Sequence, residues 1–179
     1  MIRIRRSLVL AATLLMSAVT AAAAPSAHAR GEHWHNLATW YHWGRQDNFS
    51  SVTADDDATA RSSGYTWVRG KEAYILVQPT DTRVQKPLIL FYNSARGDYM
   101  STATREGIAS ALSAGYVRKN VQGYIWTYHA PGTVPLYQYW NARRQDNFAA
   151  ASPEGIASAR SAGYRRVRVE GYVTPGSAF

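Results

Sequence analysis

The stretch from Ser152 to Tyr164, SPEGIASARSAGY, decides the fold because it repeats the earlier stretch from Thr104 to Tyr116, TREGIASALSAGY. A more divergent copy runs from Thr53 to Tyr65. Self-similarity at a fixed period indicates a supersecondary unit that needs copies of itself to bury its apolar face. The sequence therefore predicts three repeats, at about residues 35–77, 88–128 and 135–174.

Each repeat predicts the order strand, strand, helix, strand. In the third copy, the aromatic-rich stretch Pro135–Trp140 alternates as a strand does, turn formers follow, and residues 147–150 start a return strand. The helix would begin with Ser152 as its N-cap and end at Gly163 in the left-handed conformation. Alternation after Tyr164 predicts the last strand.

The predicted fold is a β-rich α+β single domain, residues 30–179. Three β-β-α-β repeats would form a closed pseudo-threefold arrangement without exposed strand edges, with a β-trefoil as the alternative. The first copy departs from the others, because Asp57 stands where they have Ile108 and Ile156. Either its helix lies further out, or its carboxylates have an added role.

Residues 1–29 have the pattern of a cleaved secretory signal peptide. Three arginines precede an apolar stretch, and Ala27-His28-Ala29 offers a cleavage site before Arg30. The predicted location is extracellular, with no membrane attachment after cleavage. Removal of this segment lowers the formal net charge from +8 to +5, which permits an anionic partner. The chain has no cysteine and hence no disulfide.

An Asp, an Arg two residues before it and a pair of aromatics recur ahead of each Gly-Tyr pair. The Arg-x-Asp turn is interpreted as an ion pair with an Asx turn, or else as a ligand-binding pair. One aromatic of each pair should point inward and the other outward, because adjacent strand residues face opposite ways. The candidate ligand-binding residues are Trp40, Tyr41, Arg45, Asp47, Asn48, Tyr92, Arg96, Asp98, Tyr139, Trp140, Arg144, Asp146 and Asn147.

These motifs resemble a tandem aromatic repeat of unknown function found in secreted bacterial and fungal proteins. The matching segments are Leu-Tyr-x-Tyr at 136–139, Asp-Asn-Phe at 146–148, Ala-Gly-Tyr at 162–164 and Glu-Gly-Tyr-Val at 170–173. Where that repeat usually has His, this chain has Asn48, Tyr99 and Asn147. The resemblance implies a non-catalytic, surface-binding accessory module.

The predicted function is a secreted, lectin-like, monomeric module that binds an extracellular or cell-wall glycan without a metal or cofactor. A protein-binding module, such as an inhibitor or assembly component, is the alternative, and a hydrolase of unfamiliar type is a third. The sequence contains no Gly-x-Ser-x-Gly nucleophile motif, phosphate loop or zinc-ligand spacing. Nucleic acid is not favoured, because the clustered arginines fall mainly in the third copy.

Overall fold

The computed structural model describes residues 33–178, so the predicted signal peptide lies outside the described residues. The order strand, strand, helix, strand occurs three times along this part of the chain. The elements are β1 (Trp34–His42), β2 (Asp47–Ser51), α1 (Ala54–Ser62), β3 (Thr66–Leu76), β4 (Gln85–Asn93), β5 (Asp98–Thr102), α2 (Arg105–Ser113), β6 (Val117–Trp126), β7 (Val134–Asn141), β8 (Asp146–Ala150), α3 (Pro153–Ser161) and β9 (Arg165–Pro175).

All nine strands belong to one antiparallel sheet, which confirms the β-rich α+β class. In each repeat the first strand pairs with the other two, as β1 does with β2 and β3. The last strands of the repeats also pair with one another. Leu76 lies opposite Tyr124, Trp126 lies opposite Tyr172, and Ala73 lies opposite Pro175.

The sheet is not a barrel, so the prediction of a closed sheet without strand edges is wrong, and so is the β-trefoil alternative. Strands β2, β5 and β8 each pair with a single neighbour in the described chain. Every residue of these three strands is nevertheless buried. These three strands lie beside one another, so side-chain packing buries the edges that do not pair with a further strand.

The helix boundaries follow the predicted local signals. The Ser152 side chain accepts a hydrogen bond from the Gly155 amide at 2.9 Å, as an N-cap does. Gly163 has φ +80°, and the Tyr164 amide donates to the Ala159 carbonyl at 2.9 Å, which is a Schellman ending. The same two endings bound the other helices, and the capping and glycine predictions are confirmed.

Helices α2 and α3 receive a glutamate from a different repeat at their N-termini. Glu72 is fully buried, and its Oε1 accepts from the amides of Ala151 and Ser152, each at 2.8 Å. Gly155 leaves room for it, because a Cβ there would lie 2.2 Å from Glu72 Oε1. Glu170 holds the start of α2 in the same way. A carboxylate at this end also complements the helix dipole.

Helix α1 carries its own carboxylate instead. Asp56, at the position of Gly155, is buried, and its Oδ2 accepts from the Val52 amide at 3.0 Å. Gln122, from the second repeat, donates to Asp56 Oδ2 at 3.0 Å. Asp57 is only partly buried and accepts from a serine hydroxyl at 2.6 Å. Of the two interpretations of the acidic run, the added role therefore applies, as capping and as a link between repeats.

One apolar cluster contains residues from all three repeats. It consists of Leu37, Val52, Ala73, Ile75, Leu88, Ala103, Ile125, Leu136, Ala149, Ala151 and Val173. Three smaller clusters each include one helix alanine: Ala60, Ala111 or Ala159. The candidate site residues described next lie where neighbouring repeats meet.

Candidate binding clefts between the repeats

The three turn aspartates, far apart in sequence, come together in the structure. One carboxylate oxygen from each of Asp47, Asp98 and Asp146 lies within 4.8 Å of the others, and all three residues are buried. Each also accepts a hydrogen bond from the tyrosine of the Gly-Tyr pair in its own repeat. Among the described residues, these three aspartates have the spacing that a bound cation would need. Each carboxylate, however, already accepts hydrogen bonds from protein groups.

The interpretation of the Arg-x-Asp turn as an ion pair is wrong. The ion pairs between described residues are Arg69–Glu72, Arg83–Asp81 and Arg168–Glu170. The turn arginines lie instead over the faces of the same tyrosines that donate to the aspartates. The distances from guanidinium carbon to ring centre are 5.1 Å for Arg45 over Tyr65, 5.7 Å for Arg96 over Tyr116 and 5.5 Å for Arg144 over Tyr164. The aspartate points into the protein, and the arginine stays nearer the surface as a cation–π partner.

Burial and mutual repulsion keep protons on the aspartate cluster. Burial, with the charges of Asp146 and Asp98 added, raises the pKa of Asp47 to about 10. Burial and the charge of Asp98 raise the pKa of Asp146 to about 8, and burial raises the pKa of Asp98 as well. The cluster therefore holds protons at neutral pH, and it behaves as a hydrogen-bonded hub more than as a set of exposed carboxylates.

Two asparagines connect this hub to neighbouring repeats. Asn48 of repeat one donates from Nδ2 to Asp146 Oδ2 at 2.8 Å and to the Tyr164 hydroxyl at 2.8 Å. Asn147 of repeat three donates to Asp98 Oδ2 at 2.9 Å and makes the corresponding contact with the tyrosine of repeat two. We call these contacts, with the glutamates Glu72 and Glu170, the one–three junction and the three–two junction.

A cleft of about 250 Å³, cleft one, opens at the one–three junction. Strand residues of repeat one form one wall, and helix α3 with its flanking turns forms the other. Its lining includes the polar or aromatic side chains Thr39, Tyr41, Trp43, Asn48, Arg69 and Arg144. The Trp43 ring meets the Tyr41 ring edge-on, with centres 4.9 Å apart, and Trp43 is 71% exposed.

A cleft of about 290 Å³, cleft two, lies at the three–two junction and uses the corresponding positions. Trp140 takes the place of Tyr41, Asn147 that of Asn48, and Arg96 that of Arg144. Arg168 stands where cleft one has Arg69. The guanidinium of Arg96 lies 5.6 Å from the centre of the Trp140 ring, which keeps that aromatic face beside a positive charge.

The corresponding place between repeats two and one, the two–one junction, is filled. Tyr99 stands where the other junctions have an asparagine, and its ring lies 4.4 Å from the ring centre of Phe49. Tyr92 packs on the other side, with its ring centre also 4.4 Å away. Tyr99 is buried, and its ring occupies the space that is open in clefts one and two.

The predicted ligand-binding residues thus separate into three groups. Those that line the clefts are Tyr41, Asn48, Arg144, Arg96, Trp140 and Asn147. Those buried in the core or hub are Trp40, Tyr139, Asp47, Asp98 and Asp146. Arg45 and Tyr92 lie at the filled two–one junction, on Tyr65 and Tyr99. The inward–outward alternation within each aromatic pair is confirmed, since the buried members are Trp40, Phe91 and Tyr139.

Sequence reasoning missed one arginine of each cleft, and it missed Thr39 of cleft one. Arg69 and Arg168 each follow a Gly-Tyr tyrosine by four residues, so aligning the repeats one segment further would have found them. Thr39 carries no such signal, because the corresponding positions in the other repeats are Leu90 and Gln138.

A family described as a domain of unknown function, DUF5648, matches residues 36–174. The chain belongs to this family. The matched range includes all three helices and both clefts. No curated protein and no solved structure matches the chain. Between residues 33 and 178, no helix combines the length and apolar character needed to cross a membrane.

Proposed function

We propose that this DUF5648 domain is a secreted, non-catalytic module that binds a glycan in clefts one and two. The observation that carries the proposal is the repetition of one set of groups at two junctions: an aromatic side chain, an asparagine and two arginines beside a cleft of 250–290 Å³. Flat aromatic faces suit the C–H faces of sugar rings, and a few placed polar groups set orientation.

The proposed arrangement of the tandem aromatic repeats is pseudo-threefold. Two observations support it. The last strands of the three repeats pair in all three combinations, β3–β6, β6–β9 and β3–β9. The helix-capping contacts also run in one cyclic direction, from repeat one to three, from three to two and from two to one.

Binding without catalysis is favoured by where the carboxylates lie. Glycoside hydrolysis uses a pair of carboxyl groups on either side of the scissile bond. The side chains that line clefts one and two include no aspartate or glutamate. The three aspartates face one another in the hub, bonded to tyrosines.

A protein partner is the second candidate. The observation that favours it is a set of large apolar side chains exposed on the strands, among them Trp67, Val117 and Val167. Such side chains serve a protein interface as well as a sugar surface. Two clefts, by contrast, suit a repeating polymer, since two weak sites on one chain gain avidity.

A glycan array with the secreted domain tests the proposal. The double variant Trp43→Ala/Trp140→Ala removes one exposed or part-exposed aromatic from each cleft, and we expect affinity for the captured glycan to fall at least tenfold. Tyr128→Ala is the matched control, because Tyr128 is half exposed and does not line either cleft. Capture of a secreted protein with no glycan retained above background would overturn the glycan proposal.

A further inference from the structure

Cleft one contains two buried polar atoms without a hydrogen-bond partner. Thr39 is 3% exposed, and its Oγ1 makes no hydrogen bond within the described residues. Arg144 Nε is buried and equally unpartnered. Both residues line the cleft. Buried polar groups are normally satisfied, so two in one cleft indicate that something else supplies their partners.

The charge of the lining restricts what that partner is. Arg144 and Arg69 are the charged side chains of cleft one. Arg69 already pairs with Glu72, with Nη1 and Oε2 3.0 Å apart. Arg144 has no ion pair among the described residues, and its guanidinium contacts Tyr164, at 3.4 Å from the hydroxyl and 5.5 Å from the ring centre. An anionic oxygen would complete the hydrogen bonding of this guanidinium, and charge-assisted bonds of this type are the strong ones.

The cleft also offers a flat apolar surface at its mouth. Tyr41 and Trp43 meet edge-on there, and Trp43 is mostly exposed. Aromatic rings beside a single unpaired cation suit a ligand with both an apolar ring face and a negative group. A free phosphate or sulfate would use only the cation and leave the aromatic surface uncovered.

We propose that cleft one selects an acidic saccharide unit. Its carboxylate accepts a hydrogen bond from Arg144 Nε, the Thr39 hydroxyl bonds a neighbouring ring oxygen or hydroxyl, and the sugar face packs on Trp43 and Tyr41. This inference rests on the proposed glycan-binding function and names the class of sugar that it prefers.

Cleft two lacks this combination. The residue at the position of Thr39 is Gln138, which does not line cleft two and whose Nε2 already donates to Asn147 Oδ1 at 3.0 Å. Gln138 Oε1 has no partner among the described residues, but it can only accept a hydrogen bond and so cannot serve an anionic group. Arg96, at the position of Arg144, stacks between the rings of Tyr116 and Trp140. The preference for an acidic unit therefore belongs to cleft one, and cleft two contributes avidity along the same polymer.

Calorimetry with a galacturonic acid tetramer and its fully methyl-esterified form tests this inference. The two probes share ring and linkage and differ in charge. We expect the acid form to bind the wild-type domain at least tenfold more tightly. Arg144→Gln should remove most of this preference. Thr39→Val, which keeps the shape and removes the hydroxyl, should weaken the binding of both tetramers by a similar factor and leave the preference in place. The free energy of unfolding of Thr39→Val should equal that of the wild type, because the hydroxyl that is removed makes no hydrogen bond within the described residues.

Arg143→Gln is the matched control, since it removes the same charge from the adjacent exposed arginine, and the preference should survive in it. A preference lost equally in Arg143→Gln would show general charge attraction and overturn the inference. So would equal affinity for the two tetramers, or competition by inorganic sulfate at the tetramer's own affinity. In these cases the glycan proposal stands if neutral sugars are retained on the array, and it fails if no glycan is.

Discussion

At the one–three and three–two junctions, an asparagine and a glutamate of one repeat contact the next repeat. At the two–one junction, a tyrosine and a glutamine make the corresponding contacts. The one–three and three–two junctions leave a cleft, and they leave a helix N-terminus that depends on a carboxylate from another repeat. The two–one junction fills its cleft with Tyr99 and caps α1 from within, with Asp56. The three junctions therefore differ in structure, since two leave a cleft and the third is filled by a side chain.

The largest expected effect comes from removing a capping glutamate. Glu72→Ala leaves the amides of Ala151 and Ser152 and the guanidinium of Arg69 without their partner. Breaking a buried charged interaction of this type costs about 3–5 kcal/mol of the free energy of unfolding. The corresponding change at the closed junction, Gln122→Ala, should cost less, about 1–3 kcal/mol, because the side chain removed is neutral and Asp56 keeps its hydrogen bond from the Val52 amide. Chemical denaturation measures both values.

An exchange of the capping pair provides the control for that comparison. Gly155→Asp in the wild-type background places a carboxylate against Glu72 and should destabilise α3, since a Cβ there already approaches within 2.2 Å. Adding Glu72→Gln recreates the pair that Gln122 makes with Asp56, and it should recover part of the loss. A double variant no more stable than Gly155→Asp alone would contradict the account of the caps.

Tyr99→Asn tests whether the closed junction can be opened. Removing a buried ring that packs on Phe49 and Tyr92 should cost about 2–4 kcal/mol, partly offset if the new amide reaches Asp47. Under the proposed function, calorimetry with the captured glycan should report three binding sites per chain in place of two. Tyr128→Asn, at a half-exposed position, should change neither quantity. A folded Tyr99→Asn variant that still binds at two sites would contradict the equivalence of the junctions.

The pH dependence of stability tests the assignment of protons to the aspartates, and its effect is small when it is counted per aspartate and per pH unit. The ordinary Asp pKa of 3.8 is raised to about 8 for Asp146 and to about 10 for Asp47, so the folded state holds protons that the unfolded state releases. Stability is therefore fully present below about pH 4 and falls as the pH rises toward 8 and then 10. Each such proton contributes about 1.4 kcal/mol per pH unit.

Asp47→Asn sharpens this test, because it replaces a carboxyl that is already protonated at neutral pH by a neutral group of the same size. We expect the thermal midpoints of the variant and the wild type to be similar near pH 4. The midpoint of the variant should then fall less steeply from pH 5 to pH 9, so that the variant is the more stable protein at neutral pH. Asp81→Asn, at a partly exposed position beside Arg83, should keep the wild-type slope. A wild-type midpoint that rises from pH 5 to pH 9 would contradict the assignment of protons to the hub.

Much of the architecture was predictable because its signals are local. The N-cap at Ser152, the left-handed Gly163 and the alternation of the aromatic pairs each involve residues a few positions apart, whose backbone preferences hold in any fold. The interpretation of the turn was wrong for the opposite reason. Arg144 and Asp146 are near in sequence, but Tyr164 lies between their side chains, and Tyr164 is 18 positions beyond Asp146, on the far side of α3.

The sequence by itself determined the number of repeats, the order of their elements and the ends of their helices, because these depend on periodicity and on single-residue backbone preferences. Only the tertiary structure decided which side chains line the clefts. Asn48 meets Asp146 across 98 positions, and Glu72 meets Ala151 across 79. Such contacts depend on how strands of different repeats pack, and no local preference specifies them. The clefts, the aspartate hub and the closure by Tyr99 all arise at this level.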